Sequence, residues 1–219
     1  MKPEISDTKF DVHYPITVMQ RQFSNVEKLN AALADTVIDL EKQHRDTPEN
    51  AARIPEIATQ GGYQTSTRMN LFTQDNKAFK TFRNALLMPA VKVYLNHVFA
   101  EDAKILDPWP IGWANILRTG DWQKPHCHLT QSNLASGVYY VAVPDDSEAP
   151  AGSIEFINPL LVSQYHGYSP AKRIDPKPGM LLLFPPFYLH YVHPFKTGKE
   201  RIIVAFDILA NRPGMQFVF

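Results

Sequence analysis

Residues 134–143 read LASGVYYVAV, and this run of small, β-branched and aromatic residues predicts a buried β-strand. Other runs of the same texture follow Pro110, and glycine and proline residues separate them. These runs are residues 111–118, 152–157, 180–184 and 200–209. Short strands with such punctuation are typical of a β-sandwich or a jelly roll. The sequence therefore predicts a jelly-roll core, at residues 109–212.

The part of the chain before this core has a helical pattern. Ser24 and Glu27 have the spacing of a capping box, and apolar residues then recur at helical spacing as far as His44. A second helical stretch runs from about residue 76 to residue 100. Pro89 lies inside it and predicts a break or a kink, because proline has no amide proton to donate.

Helices followed by a series of strands predict an α+β fold. The specific expectation is a double-stranded β-helix, which is a cupin-like jelly roll, with the helices packed on one of its sheets. The chain has 219 residues, which suits a single domain over residues 1–219. In this domain residues 1–108 would form a mainly helical part.

The composition argues against several classes of partner and location. The chain has 22 basic and 22 acidic residues, so its formal net charge of zero speaks against nucleic acid or an anionic membrane as the main partner. Cys127 is the single cysteine and cannot form an internal disulfide. The sequence shows no apolar signal segment and no apolar run of about 18 residues. We therefore expect a cytoplasmic protein.

Two histidines flank Cys127 shortly before the strand of residues 134–143. In an extended segment, residues i and i+2 point to the same side, so the imidazoles of His126 and His128 can reach one point. His190 follows the apolar run MLLLFPPFYL, which begins at Met180. Three histidines in this order predict a metal site, although imidazole alone does not select among iron, zinc, copper and nickel.

The neighbouring residues offer weaker candidates for this site. His193 lies three residues after His190 and is the alternative to it as a ligand. Cys127 is expected to be a packing residue, since the sequence places no base beside it. Arg201 lies at the start of a later strand, and a guanidinium can bind a carboxylate through two parallel hydrogen bonds. A return across the barrel would bring Arg201 to the place where the far carboxylate of a chelating 2-oxo acid would lie.

Several motifs of the second half occur together and in a fixed order. They are His126-x-His128, SGVYYV, Gly152-Ser-Ile-Glu-Phe, Pro178-Gly-Met-Leu-Leu-Leu-Phe-Pro, His190 with Pro194, and Arg201 with Phe206-Asp207. This order resembles the bacterial and phage 2-oxoglutarate–Fe(II) oxygenase group that is related to prolyl hydroxylases. The resemblance covers about residues 109–209 and implies Fe(II) as the metal and 2-oxoglutarate as the cosubstrate.

The resemblance also implies roles for single residues. His126 corresponds to the first metal ligand of the group and His190 to the last. Arg201 corresponds to the basic residue that pairs with the 5-carboxylate of 2-oxoglutarate, and Tyr140 to a strand tyrosine that binds the same carboxylate. Asn115 corresponds to a polar position that lines the cosubstrate pocket.

Two points remain open within the resemblance. The wider superfamily has a carboxylate at the second ligand position, where this chain has His128. We favour three histidine ligands, while Glu155 or Asp121 could supply a carboxylate instead, or position 128 could make no metal contact. Tyr139 is the alternative to Tyr140, because a register slip of one residue exchanges the two faces of a strand; Ser136 and Val138 would share the face of Tyr140.

The sequence thus predicts a non-heme Fe(II)- and 2-oxoglutarate-dependent dioxygenase. It would hydroxylate a small-molecule or amino-acid-like substrate with O2 and release succinate and CO2. The alternatives are a three-histidine cupin dioxygenase that does not use 2-oxoglutarate and a non-catalytic metal-binding cupin. Trp113, Arg118 and Gln131 lie near the ligands in sequence and are candidates for substrate contacts. A homodimer through an exposed sheet or helix face is compatible with the sequence.

Overall fold

The predicted strand runs form two antiparallel sheets in the computed structural model, which describes residues 16–130, 132–146, 148–160, 165 and 167–211. The strands are β1 (Met19–Gln22), β2 (Thr59–Gln60), β3 (Tyr63–Gln64), β4 (Pro108–Leu117), β5 (Trp122–His126), β6 (Asn133–Ala142), β7 (Ile154–Ile157), β8 (Ala171–Ile174), β9 (Met180–Phe184), β10 (His190–Val192) and β11 (Arg201–Ala210). The larger sheet has the order β1-β9-β6-β11-β4-β3, and the smaller has the order β2-β5-β10-β7-β8. Their arrangement confirms the predicted double-stranded β-helix.

The helices precede the long strands in the chain. They are α1 (Glu27–His44), α2 (Pro48–Arg53), α3 (Lys77–Thr81), a π-helical segment (Phe82–Leu87) and α4 (Met88–Phe99), with short 3₁₀ turns at Ile54–Glu56, Thr67–Met69, Leu71–Thr73 and Ala100–Ile105. In the ranges that the structure describes, no helix combines the length and the apolar character that crossing a bilayer requires.

One detail of the predicted helices is wrong, and the effect of Pro89 takes a form that the sequence did not specify. The first helix begins at Glu27 with Val26 as its N-cap, and no side chain caps it, so Ser24 lies outside and forms no capping box. The second stretch is not broken at Pro89. The amide of Met88 donates to the carbonyl of Arg83, five residues back. The helix has therefore changed to π-type hydrogen bonding just before Pro89, which has no amide proton to donate.

The boundary near residue 108 does not separate helices from strands as expected. The first part of the chain also supplies β1, β2 and β3, which pair with β9, β5 and β4 respectively. Both sheets therefore depend on residues from the first half of the chain.

The strand β6 divides its side chains between two cores. Tyr139 faces the helices, where its ring lies 4.7 Å from that of Phe82 in a cluster that also includes Leu33 of α1. Tyr140 faces the space between the two sheets, in a second cluster with Phe156 of the smaller sheet. This alternation follows from the period of two in a β-strand. The helices thus cover the outer face of the larger sheet, and its inner face encloses the candidate site.

Candidate metal and cosubstrate site

Three imidazoles converge between the two sheets. His126 ends β5 and His190 begins β10, and the two are direct register partners in adjacent antiparallel strands. His128 lies two residues beyond β5, where its backbone amide donates to the carbonyl oxygen of Pro186 at 2.8 Å. One ring nitrogen from each histidine lies within 4.8 Å of the others. The structure therefore brings together the three predicted ligands.

Each of the three rings is oriented through its Nδ1 atom. Nδ1 of His126 lies 2.8 Å from the carbonyl oxygen of Lys124, and Nδ1 of His190 lies 2.8 Å from that of Tyr188. Nδ1 of His128 lies 3.0 Å from Oδ1 of Asp207. Because carbonyl and carboxylate oxygens accept, each Nδ1 carries a proton, and Nε2 is the ring atom that is left to face a metal.

The protonation of the cluster suits a metal. Burial, followed by the proximity of His128, lowers the pKa of His126 to about 4. Burial and the proximity of His126 lower the pKa of His190 well below its usual range. Both rings are therefore neutral near pH 7, as metal ligation requires. Nε2 of His128 is buried and has no hydrogen-bond partner among the described residues, so the donor set fits a cation that the three imidazoles would share.

A buried cation lies deeper in the same cavity. Arg201 is 1% exposed, and its Nε and Nη1 atoms have no hydrogen-bond partner within the described part of the chain. Its guanidinium carbon lies 5.1 Å from the centre of the Tyr140 ring, and the Tyr140 hydroxyl also has no partner there. Burial raises the pKa of Tyr140, so the hydroxyl remains a donor. Buried donors without acceptors are costly, and a carboxylate would satisfy all of these.

The cavity that joins the two groups has a volume of about 570 Å³, within the usual range for small-molecule sites. Trp113 lines it and stacks on the ring of His128, with 5.6 Å between the ring centres. Cys127 also borders it, whereas the sequence predicted only a packing role. Gln64 and Gln123 add amide groups to the wall.

Asn115 does not lie where the resemblance implied. It is fully buried and donates to Oγ1 of Thr59 at 2.7 Å and to Oε1 of Gln64 at 3.0 Å. Gln64 lines the cavity and Asn115 does not, so Asn115 orients the wall from behind. Of the two tyrosines, Tyr140 lines the cavity and Tyr139 does not.

The remaining candidates lie elsewhere. Arg118 does not reach the cavity, because its guanidinium binds both carboxylate oxygens of Glu41 at 2.7 Å. Asp121 accepts a hydrogen bond from the backbone amide of Arg118 and is not part of the imidazole cluster. Glu155 is paired with Nε2 of His193, so neither of these two joins the metal group.

Gln131 lies outside the described residues, so its predicted substrate contact cannot be placed.

Sequence reasoning assigned no role to Asp207 or to Gly152, although both occur in the motifs that carried the resemblance. Asp207 reaches the site from β11 and lies 79 residues after His128 in the sequence. Gly152 lies against Arg201, where a Cβ atom would come within 3.0 Å of Arg201 Cδ. No local sequence pattern predicts either contact, because the contacts arise from the register of β11 and from the turn before β7.

Comparison with known proteins assigns the core to a family. Residues 112–207 match the family described as "Putative 2OG-Fe(II) oxygenase", where 2OG is 2-oxoglutarate. The jelly-roll core is thus similar to the 2OG-Fe(II) oxygenases over these residues. The matched segment, somewhat less than half of the chain, contains the three histidines, Tyr140 and Arg201. The enzyme is thus an oxygenase whose cofactor is Fe(II) and whose cosubstrate is 2-oxoglutarate.

Several solved structures share the fold of this 2OG-Fe(II) oxygenase. A prolyl-4-hydroxylase of Pseudomonas putida is 16% identical with a TM-score of 0.60, and the match covers 88% of this chain and 92% of that one. The viral collagen prolyl hydroxylase of Paramecium Bursaria Chlorella virus-1, in a 2OG complex, is 16% identical with a TM-score of 0.57, over 89% and 96%. A Trichoplax adhaerens prolyl hydroxylase, in complex with a hypoxia inducible factor peptide fragment, is 11% identical with a TM-score of 0.61, over 88% and 83%. No curated protein matches the sequence.

Proposed function

We propose that this oxygenase hydroxylates a small-molecule or amino-acid-like substrate, and that His126, His128 and His190 hold its Fe(II) while Arg201 and Tyr140 bind 2-oxoglutarate. The observation that carries this proposal is that two groups of buried polar atoms in one cavity lack hydrogen-bond partners among the described residues. Within the part of the chain that the structure describes, a buried imidazole nitrogen has no hydrogen-bond partner at one end, and buried guanidinium and phenol donors have none at the other. Fe(II) and the distal carboxylate of 2-oxoglutarate would complete these two ends.

The roles of the metal, the cosubstrate and the protein residues follow from the chemistry of each group. When bound, Fe(II) together with 2-oxoglutarate supplies the activation of O2, and the cosubstrate leaves as succinate and CO2. The protein's residues bind and orient. The three imidazoles line the cavity, and each offers one ring nitrogen within 4.8 Å of the others. Arg201 and Tyr140 hold the far end of the cosubstrate, so its chelating end is directed towards the histidines.

The surroundings of the histidines support a partly polar substrate. The cavity wall includes Glu56, Thr67 and Thr130, which offer hydrogen-bonding groups, and Leu129, whose side chain is 70% exposed. A wall that combines these hydrogen-bonding groups with apolar side chains suits an amino acid or an amino-acid side chain. The names of the three similar structures as prolyl hydroxylases support the same class.

The proposal is tested by anaerobic titration of the protein with Fe(II) and then with 2-oxoglutarate. We expect a metal-to-ligand charge-transfer band. Arg201→Ala should weaken 2-oxoglutarate binding about 30-fold or more, because truncation of a buried, hydrogen-bonded charge costs about 2–5 kcal/mol. Arg173→Ala is the matched control, since Arg173 lies on β8, is 45% exposed in its side chain and pairs with Asp175 outside the cavity. A band that forms at the same 2-oxoglutarate concentrations in Arg201→Ala as in the unaltered protein would contradict the proposal.

Turnover assays separate the alternatives. With amino acids and prolyl peptides as candidate substrates, we expect stoichiometric succinate in the presence of Fe(II) and O2. Iron-dependent O2 uptake without consumption of 2-oxoglutarate would instead indicate a three-histidine dioxygenase that does not need the cosubstrate. Tight zinc binding with no O2 uptake would indicate a non-catalytic metal-binding protein. The homodimer remains a prediction, which light scattering of the purified protein would test.

A further inference from the structure

A carboxylate that is not one of the proposed metal ligands contacts the metal site. Oδ1 of Asp207 lies 3.0 Å from Nδ1 of His128. The other two histidines are oriented by neutral backbone carbonyls, those of Lys124 and Tyr188. The three imidazoles therefore differ, because only His128 is oriented by a charged group.

The charge matters because of the donor set. Non-heme Fe(II) oxygenases commonly combine two histidines with one carboxylate. Three neutral imidazoles lack that negative charge. A carboxylate that accepts the Nδ1 proton of a ligating histidine makes the other ring nitrogen a stronger donor. Resting on the proposed function, we infer that Asp207 is the positioning residue of the iron centre: it directs Nε2 of His128 to the metal and supplies, through the ring, the negative charge that the three ligands lack.

The burial of Asp207 supports this role. The residue is 8% exposed. Among the described residues, His128 is the basic group within ion-pair distance of its carboxylate, and no lysine or arginine is. A buried carboxylate without a cation is costly. A divalent ion on the other side of the His128 ring would offset that cost, so the carboxylate and the metal stabilise each other.

A network of hydrogen bonds holds the carboxylate in place. Ser136 and Asp207 are register partners on β6 and β11, and Oγ of Ser136 donates to Oδ1 of Asp207 at 2.6 Å. Nδ2 of Asn133 donates to that same Oγ and to the backbone carbonyl of His128, both at 3.1 Å. The backbone and the ring of His128 are therefore held by one network. Trp113 stacks on the ring at an interplanar angle of 23° and restricts its tilt.

The experiment separates the charge of Asp207 from its shape. Asp207→Asn keeps the accepting oxygen and nearly the same volume but removes the charge, whereas Asp207→Ala removes both. Binding of Fe(II) is measured anaerobically, and the charge-transfer band is recorded after addition of 2-oxoglutarate. Melting of each metal-free variant shows whether it folds. If Asp207→Ala does not fold, the test of the inference rests on Asp207→Asn alone.

We expect Asp207→Ala to weaken Fe(II) binding by about 10- to 100-fold, the usual effect of losing such a supporting group. Asp207→Asn should bind Fe(II) more weakly than the unaltered protein and shift the band to higher energy, because a less electron-rich iron gives up charge less readily. Glu155→Gln is the matched control, since it neutralises another carboxylate paired with a histidine, His193, outside the metal group. It should leave both readouts unchanged.

Two results would overturn the inference. If Asp207→Asn matches the unaltered protein in both Fe(II) affinity and band energy, the charge of Asp207 plays no part, while the proposed function stands. If the unaltered protein itself binds no Fe(II) and forms no band, the proposed function fails and this inference fails with it.

Discussion

At the scale of single residues, the site depends on buried groups whose hydrogen bonds the described residues do not complete. Arg201 is 1% exposed and takes part in no salt bridge among the described residues. Its neighbour Tyr140 also has an unpaired buried hydroxyl. A buried ion without a counter-charge costs several kcal/mol, which makes these residues receptive to a carboxylate.

The pair of adjacent tyrosines on β6 provides a matched test. Tyr140→Phe should weaken 2-oxoglutarate binding about tenfold or more, because a hydrogen bond to a charged group contributes about 1.5–3 kcal/mol. Tyr139→Phe is the control, since the Tyr139 hydroxyl donates to Asn30 of α1 at 2.7 Å, on the helical side of the sheet. It should lower stability by about 1 kcal/mol without changing the affinity. Equal losses of 2-oxoglutarate affinity in anaerobic titrations would contradict this assignment.

At the scale of elements, the turn that leads into β7 shapes the cosubstrate end of the cavity. Gly152 has a φ of +69°, a conformation that side chains disfavour, and a Cβ there would lie 2.9 Å from Phe195 and 3.0 Å from Arg201. The turn therefore requires glycine both for its backbone and for the space that the guanidinium occupies.

We predict that Gly152→Ala weakens 2-oxoglutarate binding by displacing Arg201, while Fe(II) binding remains. Gly120→Ala controls for backbone strain, because Gly120 has a φ of +92° and nothing lies within 4 Å of its added Cβ. Both substitutions should lower stability by about 1–2 kcal/mol. Titration calorimetry of each ligand distinguishes them, and an equal loss of 2-oxoglutarate affinity in Gly120→Ala would show that strain alone is responsible.

At the scale of the whole molecule, the helical layer is joined to the jelly roll by ion pairs as well as by the apolar core. The carboxylate of Glu41 on α1 binds Arg118, which follows β4, and also Arg45, which is the C-cap residue of α1. Burial raises the pKa of Glu41, but the hydrogen bonds from Arg118 and Arg45 outweigh burial and hold it below its ordinary value of 4.5. A depressed folded-state pKa stabilises the fold above pH 4.5, and this stabilisation is lost as the pH falls through the folded-state value.

Glu41→Gln should therefore lower the free energy of unfolding at pH 7 by about 1 kcal/mol, a modest value because Arg118 is partly exposed. The difference from the unaltered protein should shrink as the pH falls below 4.5 and through the folded-state pKa. Asp39→Asn is the control, since Asp39 pairs with Lys42 and both side chains are more than 60% exposed. Urea unfolding at several pH values measures both. A loss in Glu41→Gln that does not depend on pH would contradict the electrostatic explanation.

The match between sequence and structure is uneven for physical reasons. The strands near residues 111–118, 134–143 and 180–184 were predictable, because buried strands are locally rich in β-branched, aromatic and other apolar residues. Details at helix ends were not: the expected cap at Ser24 is absent, and Pro89 is accommodated by a π-turn. Such details depend on how the helix packs, which overrides local preference.

By itself, the sequence determined the fold class and the set of histidines, because strand texture and the spacing of His126 and His128 are local properties. Only the tertiary structure decided which groups meet. It paired Arg118 with Glu41, set Asn115 behind the cavity wall, turned Tyr140 rather than Tyr139 inward and brought Asp207 to His128. These contacts join residues far apart in the chain, and they depend on strand register, where a shift of one residue would exchange the two faces.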